Sequence, residues 1–110
     1  MMRTTRFEKL GIEVSNLGFG CMRFPTTDEG KIDQAPAEAM IDQAMAAGVT
    51  YYDTAYGYHG GESEHVVGQI LNKYDRSSYF LATKLPMWLV EKQEDVRGFL
   101  ETQLKKLDKD

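Results

Sequence analysis

Hydrophobic and polar positions fall into blocks along this chain, and each block has its own period. Three short apolar runs, rich in aromatic or β-branched residues, are Asn16–Met22 (NLGFGCM), Gly48–Thr54 (GVTYYDT) and Ser78–Leu85 (SYFLATKL). Their length and composition predict strands buried on both faces. Between them the period lengthens to that of a helix. In DQAPAEAMIDQAMAAG, the residues Ala37, Met40, Ile41, Ala44 and Met45 form an apolar stripe, so the two methionines read as core. Asp33 is the expected N-cap of that helix, and Gly48 follows its end. ESEHVVGQILNKY sets Val66, Val67, Ile70 and Leu71 on adjoining helical positions. In a third helix, Val96, Phe99, Leu100, Leu104 and Leu107 recur at helical spacing. Glu94, Asp95, Lys105 and Lys106 are expected to face out there, and the acidic start and basic end suit the helix dipole.

Ahead of these units, TTRFEKLGIEVSNLG alternates on both arms and predicts a hairpin turning at Lys9-Leu10-Gly11. The order is then a hairpin followed by three βα units, with strands about 30 residues apart as a βαβ unit requires. Such a series begins either a doubly wound sheet or a (β/α)8 barrel. GFGCMR (Gly18–Arg23) opens like a dinucleotide-binding glycine fingerprint, but Arg23 stands where the third glycine belongs. A loop with Pro25 and Gly30 then separates it from the helix, so no helix N-terminus would sit over a pyrophosphate. The expected fold class is therefore α/β, the N-terminal part of a (β/α)8 TIM barrel with a leading β-hairpin and about three βα units. A whole barrel takes about 250 residues. Residues 1–110 read as an incomplete N-terminal fragment of the barrel domain, with an open sheet edge that invites self-association.

Composition narrows the class. The hydrophobic fraction of 42% and charged fraction of 27% are ordinary for a globular protein. No apolar run approaches the roughly 20 residues of a membrane span, and MMRTTRFEKLG lacks the apolar core of a secretory leader. A single cysteine, Cys21, forms no internal disulfide and no cysteine-based metal cluster. These features favour the cytoplasm and no membrane partner. The net charge of −4, with both signs interspersed, argues against nucleic acid as a partner.

Candidate chemistry lies in YYDTAYGYHGGESE. Asp53 ends the second predicted strand, Lys84 ends the third, and side chains at such ends face a barrel's active-site mouth. Adjacent strands lie about 4.8 Å apart, so the two can pair. Tyr58, five residues past Asp53, can fold back over the same mouth. An ammonium close to a phenol favours the phenolate. Asp53, Lys84 and Tyr58 together would make a group able to exchange a proton with a carbonyl or alcohol.

Singly, each has a plainer reading. Asp53 serves as a turn carboxylate, Lys84 as a surface lysine, Tyr58 as a half-exposed packing aromatic. Their order and spacing favour an active site. Gly57, Gly60 and Gly61 read as turn formers, because no P-loop ending follows. His59 and His65 read as ordinary polar residues, and two histidines without HExxH spacing predict no metal site. Cys21 reads as a small buried strand residue rather than a nucleophile.

The sequence resembles the aldo-keto reductase superfamily over nearly its whole length, from the hairpin through LGFGCMRF, GVTYYDTAYGYHGGESEHVVG and LATKL to LKKLDKD. In that family an Asp, a Tyr, a Lys and a His act around a nicotinamide cofactor. Asp53, Tyr58 and Lys84 match the first three; the histidine follows the family's fourth strand, past Asp110. The resemblance implies NADP(H) as cofactor, a small aldehyde or ketone as substrate, and Tyr58 as the acid touching it. Gly20, Cys21 and Met22 match a strand end that lies near the cofactor in relatives, with Asp53 at the same rim and Arg23 adding positive charge. Gly18 and Gly20 would let a flat ring approach the backbone. Trp88, in KLPMW, falls where relatives place substrate-contacting aromatics, and core or lid packing is its equal alternative. GYHGGESE with ATKLPMW is similar to a prokaryotic branch that carries a C-terminal ferredoxin-like domain, which implies iron–sulfur clusters only in a region absent here. The family also includes cofactor-binding regulatory subunits, such as potassium-channel β subunits, and that is the alternative to an enzyme. The 110-residue chain alone is expected to be inactive.

Overall fold

Gly11 makes the first reversal of the chain. At φ +65° it takes the left-handed conformation that glycine adopts without strain, and it closes a turn in which its N–H donates to the Phe7 carbonyl at 2.9 Å. β1 (Thr4–Phe7) and β2 (Ile12–Ser15) pair antiparallel on either side, from Thr4↔Ser15 to Phe7↔Ile12. The computed structural model describes residues 1–110. β1 is exposed along its whole length rather than on alternate residues. Only the end of β2 is buried, at Val14 and Ser15. Ser15 and Thr50 exchange two hydrogen bonds, each a backbone N–H to the other's hydroxyl at 2.9 Å, which tie the hairpin to the sheet.

β3 (Gly18–Gly20), β4 (Tyr51–Asp53) and β5 (Phe80–Ala82) form a parallel sheet in the order β3-β4-β5. Helices α1 (Gln34–Ala46) and α2 (Ser63–Leu71) make the connections, and α3 (Gln93–Leu107) follows β5. The expected order of elements is therefore the observed one, with strands shorter than the apolar runs. Burial on both strand faces is not observed. Phe19, Tyr52 and Leu81 pack into the core beneath the helices, whereas Gly18, Gly20 and Tyr51 on the opposite face are exposed. Side chains alternate across a strand, and only one face here has helices to cover it.

The core gathers Ile41 from α1, Tyr52 from β4, and Val67 and Leu71 from α2, all fully buried. Burying side chains of this size stabilises by about 1.5–3 kcal/mol each. Tyr52 is tolerated inside because its hydroxyl donates to the Val49 carbonyl at 3.0 Å. Gly48 ends α1 as expected: at φ +92° it sets up paired bonds, Val49 N–H to Ala44 O at 3.0 Å and Gly48 N–H to Met45 O at 3.1 Å. These satisfy the last carbonyls of the helix. Asp33 stands at the N-cap position but its side chain makes no capping bond. Met40 is exposed, contrary to its place in the predicted stripe; Ala37 and Ile41 alone are buried on α1.

α3 also departs from its pattern. Leu107 and Gln103 are its buried residues, while Val96 and Leu100 are exposed. Lys106, expected to face out, turns inward to a fully buried Glu64 on α2, with 2.9 Å between Nζ and Oε1. Gly68 explains how the two helices come so close: a Cβ there would lie 2.2 Å from the Leu107 carbonyl oxygen. No helix is long and apolar enough to cross a membrane.

Candidate active site

The parallel register sets Gly20, Asp53 and Ala82 side by side at the ends of the three strands. The exits are then stapled together. Cys21 N–H donates to the Asp53 carbonyl and Thr54 N–H to the Ala82 carbonyl, both at 2.8 Å. Lys84 lies two residues beyond β5 and reaches back across the rim. Its Nζ donates to Asp53 Oδ2 at 2.5 Å and to the Thr54 carbonyl at 3.0 Å. Tyr58 opens a short 3-10 turn (Tyr58–Gly61) and brings its ring to 4.9 Å from the same Nζ. The three residues singled out in the sequence are thus gathered around one ammonium group. Partial burial opposes the Lys84 charge. The hydrogen bond to Asp53, with the attraction of Asp53 and Tyr58, outweighs it and raises the lysine's pKa.

Beside this group lies an open cleft of about 450 Å³ lined by Ala55, Gly57, Tyr58, Lys84, Leu85, Met87 and Trp88. Its wall is largely apolar, with Tyr58 and Lys84 as the polar groups. Trp88 is 71% exposed and its ring rests on Gly57, where a Cβ would sit 3.4 Å from Cζ2. On the other side of Asp53, a Cβ on Gly20 would meet nothing within 4 Å. Met22 and Arg23 are exposed next to it. Cys21 shares this strand end, but its side chain is fully buried. Burial, reinforced by the charge of Asp53, pushes the thiol's pKa up to about 12, so it is not a nucleophile near neutral pH.

His59 is more than a loop residue, contrary to the reading of the sequence. Its Nε2 accepts the Phe24 N–H at 3.0 Å, and its ring stacks on that of Phe24 at 5.7 Å. Burial lowers its pKa, which suits the neutral ring that the accepted bond requires. His65 is exposed on α2.

A second cluster, directly behind the first, went unread in the sequence. Thr83 Oγ1 donates to Glu64 Oε2 at 2.7 Å, and Gln103 Nε2 donates to the Lys84 carbonyl at 2.7 Å. Ser63 Oγ lies 2.7 Å from Thr54 Oγ1 and donates to the Cys21 carbonyl at 3.2 Å. The first turn of α2 therefore reaches all three strand exits. A signal was present. Glu64 is three and seven residues before Val67 and Leu71, hence on the buried face of the helix.

Residues 16–110 match the Aldo/keto reductase family. The chain belongs to that family. Its curated aldo-keto reductase relatives include a probable aldo-keto reductase 1 from Glycine max, 34% identical over 106 residues, covering 89% of this chain and 31% of that protein. Another is the aldo-keto reductase YhdN of Bacillus subtilis, 36% identical over 84 residues, covering 76% of this chain and 25% of that one. Among solved structures, the holo form of aldo-keto reductase AKR11C1 from Bacillus halodurans superposes with a TM-score of 0.80 at 28% identity, covering 100% of this chain and 38% of that one. An aldo/keto reductase from Klebsiella pneumoniae in complex with NADP and acetate gives 0.77 at 26% identity, covering 100% and 37%. The chain spans about a third of the length of these relatives. Its hairpin and parallel βα units are the N-terminal part of the aldo-keto reductase TIM barrel.

Proposed function

We propose that the whole protein to which these residues contribute reduces aldehydes or ketones with NADPH, with Tyr58 as the proton donor. One observation carries this reading: the Lys84 ammonium is held by Asp53 and set against the Tyr58 ring at the rim of an apolar cleft. The open space over Gly20, flanked by exposed Met22 and Arg23, fits a flat ring with anionic groups beyond it. The Klebsiella pneumoniae relative that holds NADP supports the choice of cofactor. When bound, the nicotinamide supplies the hydride to the carbonyl carbon.

The chain's own residues handle the proton. Tyr58 gives its phenolic proton to the carbonyl oxygen as negative charge develops there. Lys84 favours the phenolate left behind, and Asp53 keeps Lys84 charged and aimed. Gly20, Met22, Arg23 and Asp53 would border the nicotinamide ring, with Cys21 offering backbone only because its side chain is fully buried. Trp88 and Met87 wall the substrate side, where their apolar surface favours a carbonyl with an apolar body.

The 110-residue chain alone is proposed to bind NADPH weakly, to turn nothing over, and to associate through the outer edge of β5, which no strand covers. NADPH fluorescence titration of the chain beside the full-length protein tests this division of labour. Binding by the long form only is expected; tight binding by the short form would contradict it.

A further inference from the structure

Lys84 sits past the last rung of the sheet, since the β4–β5 ladder ends at Asp53↔Ala82. Strand pairing therefore does not fix its backbone, yet where its ammonium reaches depends on where that backbone lies. Its carbonyl is held from behind by Gln103, whose Nε2 donates at 2.7 Å. Gln103 is buried on α3. The same nitrogen lies 3.4 Å from Thr83 Oγ1, and Thr83 in turn donates to the fully buried Glu64. Lys106, one turn along α3 from Gln103, closes the ring with its 2.9 Å ion contact to Glu64. A buried glutamine and a buried carboxylate each cost free energy unless bonded. Here their bonds converge on the residues at 83 and 84. We infer that Gln103 is a positioning residue for Lys84, anchored by the Glu64–Lys106 pair, so that α2 and α3 together set the register of the lysine against Asp53 and Tyr58.

The inference rests on reading Lys84 as part of the proton-transfer site. Misplacing such a group by about 1 Å costs on the order of a hundredfold in rate, so partial slackening should cost about tenfold. Two variants of the full-length protein test it. Gln103→Met keeps the length of the side chain and removes the donor; kcat for carbonyl reduction should fall about tenfold, with KM and NADPH affinity within about twofold. Gln103→Glu places an acceptor against the carbonyl. Its kcat should be low at neutral pH and recover towards pH 5, where a protonated carboxyl can donate again, while Gln103→Met shows no such recovery. Wild-type kcat in Gln103→Met, or no acid recovery in Gln103→Glu, overturns the inference. Lysine labelled with carbon-13 at Cε gives a readout independent of turnover. The Lys84 resonance should move in Gln103→Met, and an unmoved resonance also overturns the inference. Failure of the wild-type protein to reduce any carbonyl, with the Lys84 resonance still responding, would instead remove the proposed reaction and leave the positioning role standing.

Discussion

Two carboxylate–lysine pairs lie back to back in this chain and work under opposite conditions. Asp53–Lys84 is 2.5 Å long, with side chains 34% and 49% exposed. Glu64–Lys106 is 2.9 Å long, with 0% and 14% exposed. The charges are alike; the solvent is not. Water screens the first pair, so it contributes little to stability, about 1 kcal/mol at most, and Lys84 stays within reach of a ligand in the adjoining cleft. The second pair has given up its hydration. Its attraction offsets a large desolvation cost, so it adds little net stability while intact, yet removing one partner strands a buried charge. On the proposed reading, the exposed pair serves the proton transfer and the buried pair holds Lys84 in place.

The largest stability effect should come from breaking the buried pair. Lys106→Met should lower the unfolding free energy by about 3–5 kcal/mol in urea titration. Adding Glu64→Gln should return part of it, because the stranded charge is gone. A loss under about 1 kcal/mol in Lys106→Met would erase the contrast between the pairs. Next is the seam that brings Lys106 to Glu64. Gly68→Ala sets a methyl group against the Leu107 carbonyl and should cost about 1–3 kcal/mol through overpacking. An unchanged urea midpoint would mean that α2 and α3 separate freely.

Lys84→Met inverts the pattern. Stability should change by no more than about 1 kcal/mol, while carbonyl reduction falls by about tenfold or more. Unchanged turnover would end the proposed support of Tyr58 by Lys84.

The smallest effect concerns His59, an uncharged tie beside the same mouth. Burial lowers its pKa from the ordinary 6.5, so the unfolded chain binds the extra proton first. Its contribution to stability is present above pH 6.5 and is lost as pH falls through the lowered folded value. His59→Gln should flatten the decline of the melting temperature between about pH 7 and pH 5, relative to wild type. Parallel curves would show that the Phe24 contact does not depend on the neutral ring.

Much of this was legible in the chain. Period alone located the helices, Gly48 marked the end of α1, and the spacing of Asp53, Tyr58 and Lys84 picked out residues that the structure gathers around one ammonium. What escaped has a common cause. Lys106 sits where helix-dipole reasoning puts a solvent-facing charge, and Glu64, although in register with the buried Val67 and Leu71, carries a charge that pattern reading assigns to the outside. Only a partner on another helix makes their burial affordable, and no local pattern contains that partner. Met40 erred the other way, since a helical stripe wider than the sheet beneath it leaves its margin in water. His59 was unreadable because its role depends on Phe24, thirty-five residues earlier.

The central claim is that the exposed pair serves Tyr58 as a proton donor. Steady-state carbonyl reduction by full-length Tyr58→Phe, with NADPH affinity measured on the same sample, tests it most directly. Turnover should fall by about a hundred- to ten-thousandfold while the NADPH dissociation constant stays within about twofold. Wild-type turnover in that variant would contradict the account and return Tyr58 to the packing aromatic it otherwise resembles.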